Sequence, residues 1–101
     1  MSASFVQTGG VRIGEGLIAF NATWPFAKLG VGDEKLTLTC FWKQWVFPKG
    51  SIRRLSEYDG LFSSGLRIEH DIACYSAFLV FWSMGFSKLK SELEKSGYVV
   101  S

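Results

Sequence analysis

His70, Asp71 and Cys74 fall within one short stretch, and an imidazole, a carboxylate and a thiol are the parts of an activated nucleophile. Leu66, Ile68 and His70 alternate there with Arg67, Glu69 and Asp71, the period of a half-buried strand. That alternation puts His70 on the apolar face and Asp71 on the other, so His70 reads as a histidine at the edge of a core. Glu69 and Asp71 share the polar face and read as solvated acids. One histidine and two distant cysteines, Cys40 and Cys74, cannot close a four-ligand metal site. Gly9-Gly10 and Gly14-x-Gly16 lack the spacing and the following helix of a phosphate loop. The expectation is a chain that is no enzyme, with no catalytic residue, no metal site and no cofactor.

Binding chemistry is better supplied. Between Phe41 and Arg54 the aromatics Phe41, Trp42, Trp45 and Phe47 interleave with Lys43, Lys49, Arg53 and Arg54. No acid occurs from Lys35 to Ser56. Aromatics stack on bases and cations attract phosphates, so this mixture could hold single-stranded nucleic acid or an anionic headgroup. It also describes core aromatics with a solvated basic rim. Lys49, Arg53 and Arg54, with Arg67 on a later strand, are the candidate ligand-binding residues, since arginine grips phosphate or carboxylate with paired donors. A net charge of +2 is too small to imply nucleic acid as the partner.

These residues need elements to hold them. The chain is 101 residues long, 48% hydrophobic and 16% aromatic, which is enough for one core. Met1–Gly10 reads as a flexible lead-in without the basic-then-apolar order of an export signal, and 11–101 as the domain. Gly16–Ala22 and Trp24–Leu29 are apolar and β-prone, broken or bulged at Pro25. Lys35–Trp42 alternates cleanly, with Leu36, Leu38, Cys40 and Trp42 on one face, and a Lys43-Gln44 link leads to a short strand Trp45–Phe47. Pro48–Ser51 is a turn, and the three-residue step from Ile52 to Leu55 fits a helical turn better than a strand.

Phe78–Trp82 is continuously apolar, as in a central strand. With Phe78, Val80 and Trp82 filling the interior, Leu79 and Phe81 point outward and, with Phe41, form the expected partner interface. Phe86, Leu89, Leu93 and Tyr98 recur at helical steps, with Gly97 as the cap, an amphipathic helix that must lie on the strands. The uncharged run Ile72–Ser87 is too short and too polar for a membrane span. Cys40 and Cys74, both beside apolar residues, read as reduced core thiols, which points to the cytoplasm.

Short strands followed by one terminal helix resemble the pleckstrin-homology-like superfold, in its bacterial and GRAM-type branch. The residues behind the resemblance are Asp33–Leu38, Phe47-Pro48 with Ser51-Ile52 and Leu55, Gly65–Ile68 with His70, Phe78–Trp82, and Leu89 and Leu93 ahead of Gly97-Tyr98. It implies a mainly β fold, a bent antiparallel barrel of about seven strands closed by one C-terminal α-helix. It also implies a docking module and not an enzyme; the outward Leu79 and Phe81 make the expected partner a protein or a second copy of the chain. A phospholipid headgroup or nucleic acid bound through 41–54 is the alternative. Phosphoinositide-binding members place a lysine on the first strand and a basic-x-Arg pair on the second. Lys28 could serve as the first, but Lys35-Leu36-Thr37 holds no arginine.

Overall fold

Alternation and turn chemistry produce one curled antiparallel sheet with one helix, seen in a computed structural model that describes residues 5–14, 20–60 and 64–101. The strands are β1 (Phe5–Ile13), β2 (Phe20–Val31), β3 (Lys35–Cys40), β4 (Lys43–Pro48), β5 (Ile52–Asp59), β6 (Ser64–His70) and β7 (Leu79–Ser83). A single 3-10 turn at Lys49–Ser51 joins β4 to β5, and helix α1 spans Phe86–Lys95. The strand order is β4-β3-β2-β1-β7-β6-β5, all antiparallel neighbours, curled into a half-barrel. The mainly β fold with a single C-terminal helix is therefore as expected.

The core lies in the concavity. Leu36, Leu38 and Cys40 of β3, Phe47 of β4, Leu55 of β5 and Leu66 and Ile68 of β6 all point inward and are buried. Leu89 and Leu93 of α1 are fully buried with them, which fixes the helix in place. At two points of close approach the sheet needs glycine. A Cβ on Gly9 would fall 2.1 Å from the Trp82 carbonyl oxygen, and one on Gly10 2.6 Å from that of Ala22. β1 can lie this close to β7 and to the bulged β2 on either side of it only because both side chains are missing.

Four expectations change. Phe5–Gly10 is the first part of β1, not a lead-in, because Gly9 and Gly10 pair with β7 despite the polar composition. The alternation of β3 stops at Cys40: the hairpin turn is Phe41-Trp42, not Lys43-Gln44, with Phe41 left-handed at φ 56°. Ile52 and Leu55 lie on a strand. The register there slips between Ile52 and Arg54, so Arg53 is the extra residue of a β-bulge. The bulge shifts the period by one and lets a three-residue step keep one face.

The fourth change concerns β7. Leu79 and Phe81 are the core residues, both fully buried, while Phe78 and Trp82 face outward. Cross-strand partners share a face, and Leu66, already inward on its own alternation, pairs with Phe81. A continuous apolar run carries no period of its own, so its phase comes from its neighbours. Leu79 and Phe81 are therefore not an interface. Of the strand expected over Gly16–Ala22, residues 16–19 lie outside the described residues. Pro25 sits at a register break between β1 and β2, as a bulge position requires.

Candidate functional site

The residues expected to carry ligand chemistry separate into two places. Lys49, Arg53 and Arg54 do come together, around a cleft of about 180 Å3 between the start of β5 and Gly97–Val99. Two of the three cations are engaged. Lys49 Nζ donates to the Ser96 carbonyl at 2.8 Å and lies 4.5 Å from the centre of the Tyr98 ring, closing the helix C-terminus. Arg53 forms an ion pair with Asp71. Arg54 makes no ion pair among the described residues and faces Glu69 in the register.

Arg67 is elsewhere. It lies on the outer face of β6, 5.2 Å above the Phe78 ring, with its Nε buried and without a partner among the described residues. It belongs to an outer aromatic cluster in which Tyr58 packs edge-on against both Phe78 and Trp82, each at 5.7 Å. Gly65 stands between Tyr58 and Trp82 in the register, and its missing side chain leaves room for the two rings to meet. This cluster, with Arg67, covers the outward Val80.

His70 is held by structure. Its Nε2–H donates to the Ser76 carbonyl at 2.8 Å and its Nδ1 accepts the Ile72 N–H at 3.0 Å, which uses both ring nitrogens. The ring also packs 5.1 Å from Phe47 and 5.9 Å from Tyr75. Cys40 is buried, and burial pushes its thiol pKa up. Cys74 is exposed, against expectation, because it lies in the 71–78 connection and not on a strand. Tyr98 donates to the Gly32 carbonyl at 2.8 Å. Burial, with the nearby carboxylates of Asp33 and Glu34, pushes its hydroxyl up to about 12. Among the described residues no group of three or more His, Cys, Asp or Glu could hold a metal ion. No helix there is long and apolar enough to cross a membrane.

The surface that sequence reasoning missed is apolar. Between Gly9–Ala27 and Val11–Ala22 the register of β1 and β2 jumps, so Gly10 alone faces the four residues Thr23–Phe26. β3 pairs with β2 only from Ala27 onward. Among the described residues, Thr23-Trp24-Pro25-Phe26 therefore has no strand partner on either side and bows outward, with Trp24 and Phe26 both more than half exposed. The Phe41-Trp42 turn ends beside it. Phe26 and Phe41 stack at 5.5 Å, Phe41 and Trp42 lie 6.0 Å apart, and Trp42 is 87% exposed. On the other flank Trp24, Trp82 and the exposed Met84 line a groove of about 220 Å3 floored by Gly10.

Phe41 alone of the expected interface is part of this tip. Its left-handed backbone costs on the order of 1 kcal/mol in an aromatic residue, and that conformation holds the turn with both rings outward. A sequence signal for the tip did exist: Trp24-Pro25-Phe26 and Phe41-Trp42 place apolar residues on both faces of a strand at the same point. Trp24, Phe26, Phe41, Trp42 and Met84, each more than half exposed, amount to on the order of 500 Å2, at the upper end of the apolar patches a small domain exposes. Comparison with protein-family models, with curated proteins and with solved structures finds no match for this chain.

Proposed function

We propose that this chain is a non-enzymatic docking module of pleckstrin-homology-like architecture whose contact surface is the aromatic tip. One observation carries the reading: Phe26, Phe41 and Trp42, from two separate elements, meet in the open, with Trp24 exposed two residues away on the same bulge. Leaving aromatic surface in water forgoes about 1.5–3 kcal/mol per side chain relative to burial, so the arrangement fits burial against something else. The uses already taken up by His70, Lys49 and Arg53 support a binding role over a catalytic one. The cytoplasm, with Cys40 and Cys74 unpaired, is the location this reading favours.

A photo-crosslinking residue in place of Trp42 tests it in cells, with the same residue in place of Lys90 on α1 as the control. Adducts form at position 42 and disappear when Phe26→Ser is added to the same chain. Adducts at position 90 with none at 42 would refute the proposal.

A further inference from the structure

We infer that the partner of the aromatic tip is a lipid bilayer surface carrying anionic headgroups, an inference that rests on the docking reading above. Charge is the first reason. Following the alternation of each strand, the outer face carries Lys28 of β2 near the tip and Arg12, Arg54 and Arg67 farther along it, against one outer-face acid, Glu69, while Lys35 sits beside Asp33 and Glu34 at the far end of β3. Lys28 lies two residues from Phe26, and Lys43 directly follows the Phe41-Trp42 turn. The nearest acids in sequence, Asp33 and Glu34, occupy the turn at the opposite end of β3. Cations beside an apolar tip match a surface of phosphates and carboxylates.

The same distribution argues against a second copy. A symmetric pair brings the same patch together on both subunits, and here it would set Lys28 and Lys43 against their counterparts. Shape is the third reason. The tip is a strand bulge beside a hairpin turn, two narrow projections and no broad flat face. Tryptophan rings sit well at the boundary between headgroups and acyl chains, and insertion there needs depth and no shape complementarity. The basic cleft at Lys49, Arg53 and Arg54 lies at the far end of β4, roughly 17 Å along the strand from Lys43. It takes no part in this contact, so the attachment is not selective for one headgroup.

Co-sedimentation with vesicles decides it, using phosphatidylcholine alone and phosphatidylcholine in which about a third of the lipid is phosphatidylserine. The chain pellets with the anionic vesicles, and salt releases it. Phe26→Ser with Trp42→Ser lowers partitioning at least tenfold. Lys43→Glu lowers it several-fold. Arg54→Glu leaves it unchanged. Circular dichroism and thermal melting confirm that each variant is folded. Failure of the native chain to pellet, or pelleting that survives the Phe26/Trp42 change and is lost with Arg54→Glu, overturns the inference. If the vesicles stay bare while crosslinks at position 42 still form, the docking reading stands and its lipid partner falls. If neither occurs, both fall.

Discussion

Phe41 concentrates the residue-scale account: a bulky side chain at φ 56° that stacks on Phe26 and stays more than half exposed. Such a backbone persists where its surroundings enforce it, and it gathers at contact sites. Nothing in an alternating run from Lys35 to Trp42 announces it, because periodicity describes faces and not turn dihedrals. His70 was legible for the opposite reason. Its face followed directly from Leu66 and Ile68, and both of its ring nitrogens are occupied by backbone. The two cysteines divide in the same way. Cys40 shares a strand face with Leu36 and Leu38 and is buried, whereas Cys74 lies in a connection whose apolar neighbours set no face. An aromatic disulfide reagent added to the native chain therefore titrates one thiol quickly, at Cys74. The second, at Cys40, reacts only on unfolding, since both exclusion and its raised pKa keep thiolate from forming. Two fast thiols in the folded chain would contradict the core placement of β3.

At the scale of elements, the helix was fully readable and β7 was not. Leu89 and Leu93 stand four apart on an otherwise polar segment, so only one stripe could face inward, and both are buried. Gly97, at φ 90°, ends the helix where a left-handed residue is needed. From Phe78 through Trp82 of β7 every position is apolar, and the phase is settled by pairing with β6 and β1. Bulges hid two further features: the one at Arg53 disguised β5 as a helical turn, and the jump opposite Gly10 pushed Trp24 and Phe26 outward. The helix yields the sharpest stability prediction. Leu89→Asp removes a buried leucine, worth roughly 1.5–3 kcal/mol, and buries a carboxylate with no partner. The domain should lose most of its cooperative melting transition by circular dichroism. An unchanged Tm would show that α1 does not pack on the sheet.

The whole molecule closes its other adhesive surfaces and leaves the tip. A half-barrel has two free strand edges, and each could recruit another chain. On β4 the Val46 N–H donates to the Tyr75 hydroxyl at 3.1 Å, and Pro48 has no N–H to offer. On β5 the Leu55 carbonyl accepts the Ser101 N–H at 2.8 Å, where Val100 pairs in parallel, and Glu57 and Asp59 follow. The outer aromatics Tyr58, Phe78 and Trp82 pack on one another and on Arg67. The basic cleft is partly spent on Asp71 and on the helix end. What remains is the projecting apolar tip. Hydrogen exchange with and without anionic vesicles measures this most directly. Slowed exchange confined to residues 23–26 and 41–43 is the predicted result; slowed exchange at 49–54 and 97–99, with the tip unchanged, would contradict it.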